Sequence, residues 1–194
     1  MTNRRDIVLG FTLIETMVTL SVAAVLAAIA VPNMSSFVKN GRLTTGANDM
    51  LHSFQVARSE AIKRQKNVVV CASSDGATCN YGAFSSWIVF EDTNGDWQRT
   101  PDEALIENHA ALDSSVTAYT NNSGIVSYGA TGFALPAGGS GKTPTSSIVL
   151  CDSRGNQSAG GTDSTAREVV IDQTGHVRVS KSITEITTAG NCAG

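Results

Sequence analysis

Residues 10–32 read GFTLIETMVTLSVAAVLAAIAVP. From Phe11 to Val31 the run is apolar apart from a few hydroxyls and one carboxylate, Glu15. As a helix its 21 residues extend about 31 Å, the thickness of a bilayer's hydrocarbon core. The preceding decapeptide, MTNRRDIVLG, carries Arg4 and Arg5. Positive charge on that side predicts a cytoplasmic N-terminus and a C-terminal domain on the far face. Three readings compete for the segment. A secretory signal would use Ala28-Ile29-Ala30 as its small-x-small cleavage site and release a soluble periplasmic binding domain. A plain anchor would leave Glu15 without a role. In the third reading the chain is cut after Gly10, and Phe11 gains a free ammonium. Glu15 then neutralises that ammonium on its own or a neighbouring chain, because a charge in lipid is tolerable when paired and costly when alone.

The helical pattern continues beyond Pro32, where a lost backbone bond predicts a kink. Over residues 33–66 it becomes amphipathic. Leu43, Ala47, Met50, Leu51, Phe54, Ala57 and Ala61 recur at three- and four-residue steps, with His52, Gln55, Ser59 and Lys63 on other faces. The stripe predicts packing against a folded domain. Gly41 and Gly46 each weaken a helix by about 1 kcal/mol relative to alanine and predict a flexible stretch.

After Gln65 the period changes. Short strand-like runs occupy residues 67–72, 86–91, 104–108, 115–119, 124–128, 147–152, 167–172 and 176–180, and the last two read as a hairpin. Residues 137–146 and 158–165 read as exposed, glycine-rich loops. The fold class is therefore α+β, a long N-terminal helix packed on a β-rich domain of short antiparallel strands. The division is 1–10 leader, 11–32 membrane and assembly helix, 33–66 amphipathic continuation, and 67–194 β-rich domain. The four cysteines, Cys71, Cys79, Cys151 and Cys192, form no C-x-x-C and have no histidine close by in sequence. They fit disulfides in an oxidising compartment better than zinc, with three connectivities open.

Gly10-Phe11-Thr12-Leu13-Ile14-Glu15 resembles the class III prepilin signal of type IV pilins and type II secretion pseudopilins. Downstream, SSWIVFEDTNGDWQRTPDEALI, IVLCDSRGN, REVVIDQTGHVRVS and Cys192 resemble the GspH/FimT group of minor pilins and pseudopilins, with a leaning to its FimT/FimU branch. The resemblance covers nearly the whole chain. It implies cleavage after Gly10 by the prepilin peptidase, N-methylation of Phe11, and assembly through the helix with major and minor subunits. It also implies inner-membrane insertion before incorporation into a filament, placement in a tip or priming complex, and a domain of two small sheets.

Two candidate binding sites sit in the domain. Asp92, Asn94, Asp96 and Glu103 stand at positions 1, 3, 5 and 12 of a Ca²⁺-loop pattern. Trp97 replaces the glycine expected at position 6, and a polar turn around Asn94-Gly95 is the competing reading. Arg154, Arg167, His176, Arg178 and Lys181 are candidates for phosphate contacts with DNA. Some FimT-like minor pilins bind DNA through G-R-x-R, which here reads Gly175-His176-Val177-Arg178, with His176 in place of the first arginine. Charge argues against general nucleic-acid affinity. The net charge is −3, and without the decapeptide 12 basic against 16 acidic residues leave −4. The sequence carries no nucleophile motif, phosphate loop or metalloprotease signature, so neither an enzyme, a required cofactor nor a small-molecule substrate is expected.

Overall fold

The computed structural model describes residues 10–80, 82–136, 146–189 and 192, with the side chains of 31–33 and 187–189 outside that set. The chain divides into two compact units, Met1–Lys39 and Asn40–Gly194.

In the first unit the described residues belong almost entirely to the start of α1, which spans Leu13–Arg64. Among the described residues, the apolar side chains over 11–30 and 34–38 are exposed. Hydroxyls within the run are satisfied by the helix itself. Thr16 Oγ1 donates to the Leu13 carbonyl at 2.8 Å, Thr19 Oγ1 to Thr16 at 3.0 Å and Ser21 Oγ to Val18 at 2.8 Å. These bonds lower the cost of holding them in an apolar surrounding. The kink expected at Pro32 falls on residues whose side chains lie outside the described set.

The second unit holds the rest of α1 and two sheets. Leu43, Ala47, Met50, Phe54, Ala57 and Ala61 are buried, the stripe that the three- and four-residue spacing predicted. The helix runs on through Gly41 and Gly46. Gly46 is buried, and a Cβ there would stand 3.0 Å from Leu112 and 3.7 Å from Leu150. Gly46 admits close packing, whereas Gly41 has open space around the position of a Cβ. The helix stops at Gln65, whose φ of 55° lies in the left-handed region, and the Lys66 amide returns to the Ala61 carbonyl at 3.3 Å. This is a helix-terminating motif built without glycine. Arg64 bridges Glu60 at 2.5 Å and Glu91 at 3.1 Å, and Lys66 meets Glu91 at 2.6 Å, tying the helix end to the first sheet.

The first sheet has the order β3-β2-β1-β5, formed by β1 (Asn67–Ala72), β2 (Trp87–Asp92), β3 (Leu105–His109) and β5 (Ile125–Tyr128). The second has the order β4-β6-β8-β7, from β4 (Thr117–Thr120), β6 (Ser147–Cys151), β7 (Ser158–Gly160) and β8 (Asp163–Ile171), with β9 (Val177–Ser182) also paired to β8. All pairings are antiparallel. A short helix, α2 (Ile183–Ala189), follows β9.

One face of each sheet meets α1. Val68, Val70, Trp87, Val89, Ile148, Leu150, Val169 and Ile171 form a single core with the helix stripe. The other faces are covered as well. Val69, Ile88, Phe90 and Ile125 pack with Trp97, while Val149, Cys151 and Ala166 pack with Ile186 of α2. Strands buried on both sides explain why NVVVCA and SIVLC read as unbroken apolar runs instead of alternating.

Residues 158–163 are exposed as read, but the reading of 158–165 as a loop is corrected. They form β7, a turn at Gly160 and Gly161 with positive φ, and the start of β8. Ser164 and Thr165 are buried because their hydroxyls bond to Asn156 and to the Gly155 carbonyl. The companion loop expected over 137–146 lies outside the described residues except for Ser146.

Candidate functional site

The N-terminal end of α1 begins at Thr12. Its Oγ1 accepts the Glu15 amide N–H at 3.3 Å, and its carbonyl accepts the Thr16 amide at 3.2 Å. Thr12-Leu13-Ile14-Glu15 thus has the S/T-x-x-E spacing of a capping box with the Thr side formed. Phe11, Leu13 and Ile14 are 83%, 80% and 71% exposed. Glu15 is exposed, and Gly10 has open space around the position of a Cβ. The result is a greasy helix end carrying one carboxylate in its first turn, where the positive end of the helix dipole favours it. Among the described residues one helix is long and apolar enough to cross a membrane, and this is its start.

The cysteines pair as Cys71–Cys79 and Cys151–Cys192, with Cα separations of 5.6 and 6.0 Å. The first closes the Ser73–Thr78 turn, where Asp75 accepts bonds from the Thr78 amide and hydroxyl, the Ala77 amide and Ser73 Oγ. Those donors hold its carboxyl well below the usual range. The second brings Cys192 against the face of the second sheet that α2 covers.

The Asp92–Glu103 loop is organised by its own backbone. Asp92 accepts amides from Gly95 at 2.8 Å and Trp97 at 3.3 Å. Glu103 accepts the Thr93 amide at 2.9 Å, the Thr93 hydroxyl at 3.2 Å and the Thr100 amide at 2.9 Å. Asp96 accepts the Gln98 amide, and Asn94 Oδ1 accepts that of Asp96. Burial raises the Asp92 carboxyl, with the charges of Glu103 and Asp96 adding to it against the two amides. Burial pushes on Glu103 too, but its bonds from Thr100 and Thr93 outweigh that and hold it low. Trp97 occupies the position where the Ca²⁺ pattern wants glycine. It takes the left-handed backbone, φ 63°, and pays back that strain by burying its ring at 1% exposure. Among the described residues no group of three His, Cys, Asp or Glu side chains converges as a metal site.

The five basic candidates differ in their settings. Arg167 is buried, and its Nη1 donates to the carbonyls of Ser164, Thr165 and Ala166. Arg154 forks onto Asp152, at 2.6 Å for the shortest bond, and reaches Asn40 Oδ1 at 2.9 Å. Arg178 donates to Glu185 at 3.0 Å. His176 and Lys181 are exposed. Arg178 and Lys181 lie three residues apart on β9 and so face opposite sides of the sheet.

One cluster was not singled out in the sequence. His109 stacks on Trp87 with ring centroids 3.9 Å apart and an interplanar angle of 5°. Its Nε2 lies 3.6 Å from Asp49 of α1, and Ser53 of the same helix donates to Glu107 at 2.9 Å. These contacts fasten β2 and β3 to the helix. No local signal marks them, since Ser53 and Glu107 are 54 residues apart and Asp49 and His109 farther still.

Comparison with known proteins gives a family match over residues 46–175, described as Type II transport protein GspH. Among solved structures, the type IV minor pilin FimU of Pseudomonas aeruginosa aligns at TM-score 0.52 and 18% identity, covering 76% of this chain and 98% of that one. A second crystal form of FimU aligns at TM-score 0.50 and 18% identity, over 71% and 92%. The minor pseudopilin EpsH from the type 2 secretion system of Vibrio cholerae gives 0.46 and 10% identity, over 72% and 97%. No curated protein matches. At these identities the FimU likeness concerns the fold.

Proposed function

The chain belongs to the GspH family, and from that membership we propose a minor pilin or pseudopilin that joins its filament through the N-terminal half of α1. The observation that carries this reading is the exposed apolar surface over residues 11–30 with its single first-turn carboxylate, Glu15. Cleavage after Gly10 by the prepilin peptidase, followed by N-methylation, leaves an ammonium on Phe11. That ammonium pairs with Glu15 of the same or an adjacent subunit, so that neither charge is buried alone when helices bundle in lipid or in the filament core. The leader lies on the cytoplasmic side and the β-rich domain in the periplasm. Major and minor subunits are the partners, in a tip or priming complex that serves pilus biogenesis, secretion or DNA uptake. A deletion strain scored for twitching, DNA uptake and secretion separates these three.

The capping geometry supplies a discriminating test. Glutamine serves a capping box as glutamate does, but without charge. Glu15→Gln is therefore expected to insert and fold like the parent and to fail in co-assembly. Parent-like incorporation of Glu15→Gln, measured by immunoblot of sheared filaments, would reduce Glu15 to a helix cap and sink the pairing. Mass spectrometry of the mature chain is expected to begin at methylated Phe11.

A further inference from the structure

The chain holds two Asn-Gly pairs, Asn40-Gly41 and Asn94-Gly95. Such a pair can modify itself. The glycine nitrogen gives up its proton and attacks the asparagine Cγ, the Cγ–Nδ2 bond breaks, and ammonia leaves. Water then opens the cyclic imide at either carbonyl, so asparagine and water become aspartate or isoaspartate and ammonia. Glycine favours the attack because it has no Cβ to obstruct the approach. The first pair lies within α1, where the Gly41 amide is committed to the helix ladder. The second lies in the loop after β2. Asn94 is exposed, and a Cβ at Gly95 would meet nothing within 4 Å. Steric bulk therefore does not shield this pair.

Hydrogen bonds hold its reacting groups instead. The Gly95 N–H, the nucleophile, donates to Asp92 Oδ1 at 2.8 Å. The leaving group, Asn94 Nδ2, donates to Asp96 Oδ2 at 3.0 Å, and Asn94 Oδ1 accepts the Asp96 amide at 3.0 Å. Asp92 is fixed in its turn. It is 2% exposed and also accepts the amide of Trp97, whose ring is buried. A carboxylate is far too weak a base to take an amide proton, so Asp92 holds the N–H without activating it. The Gly95 nitrogen must leave Asp92 before it can turn toward Asn94 Cγ.

We infer that Asp92, by holding the Gly95 amide, suppresses imide closure at Asn94 and so guards the exposed Asn-Gly pair against deamidation while the chain is folded.

Full-length parent and Asp92→Ala are incubated in detergent in mildly alkaline buffer, and peptide mass spectrometry follows the loss of Asn94 and of Asn40 in each. In the folded parent, Asn94 is expected to be lost about ten- to hundredfold more slowly than in the same protein unfolded in urea. That factor is set by opening one hydrogen bond to a charged acceptor. Equal rates overturn the inference. In Asp92→Ala, Asn94 is expected to approach the urea rate while Asn40 keeps its parent rate. Loss of Asn94 at the parent rate overturns the guard. Slower loss would make Asp92 a base that assists the attack, which overturns it too. Where Asn40 speeds up as well, the variant has unfolded, and hydrogen exchange of the parent's Gly95 amide decides. Protection by the same factor supports the guard, and exchange at the unfolded rate overturns it.

Discussion

At the scale of single residues, the carboxylates of the Asp92–Glu103 loop show how one side chain can hold a turn. Glu103 is buried, yet three donors from Thr93 and Thr100 keep its carboxyl below the ordinary range. An acid depressed in the folded state contributes stability above its unfolded pKa, about 4.3, and loses it as pH falls through the folded value. Glu103→Gln keeps one acceptor and turns an amide group toward donors. It is expected to cost about 1–3 kcal/mol at neutral pH. That deficit relative to the parent should shrink at an acidic pH below the unfolded value of about 4.3, as the pH falls towards the lowered folded value. Urea unfolding at the two pH values measures it; a deficit that does not change with pH would mean that the charge is immaterial. Asp92 carries the opposite sign, because burial raises it, so the loop as a whole has a smaller acid response than Glu103 alone.

Among the elements, α1 has two stretches with different tasks, and mutations should separate them. Phe54 is buried and meets Phe84 edge-on with centroids 6.0 Å apart, and Phe84 meets Trp87 at 6.5 Å. Phe54→Ala is expected to cost about 3–5 kcal/mol, seen as a lowered urea midpoint. Leu26→Ala, on a 63% exposed side chain, should leave that midpoint where it was. The sequence made α1 legible because its buried stripe keeps one period from Leu43 to Ala61 and changes sharply at Gln65. Eight strands were legible as apolar runs bounded by turns. The β7–β8 turn was not, because composition registers serine, threonine and glycine as loop. Whether a hydroxyl is exposed depends on acceptors such as the Gly155 carbonyl, which only the fold supplies. The segment ITEITTA escaped for a different reason: seven residues, five of them β-branched, give too short a window for helical periodicity. Three of the basic residues near the C-terminus, Arg154, Arg167 and Arg178, meet carboxylate or carbonyl partners that only the fold supplies. The resemblance of residues 10–15 to a prepilin signal is contiguous in sequence, so it can be read without the fold.

For the whole molecule, the two disulfides differ in reach. Their sequence separations are 8 for Cys71–Cys79 and 41 for Cys151–Cys192. On a chain-entropy estimate the first contributes about 2.5 kcal/mol and the second about 4 kcal/mol. The Cys151→Ala/Cys192→Ala variant is therefore expected to melt lower than Cys71→Ala/Cys79→Ala, as thermal scans under non-reducing conditions would register. The reverse order would mean that local strain, not loop length, governs the pair. The core places a further boundary on the molecule. No described side chain before Leu43 is buried, and every core cluster lies in the second unit. A shortened gene product starting at Asn40 thus keeps the complete folded interior and sheds the run that demands detergent. Calorimetry of that soluble fragment should give the same transition as the intact protein, so anchoring can be deleted without touching foldedness.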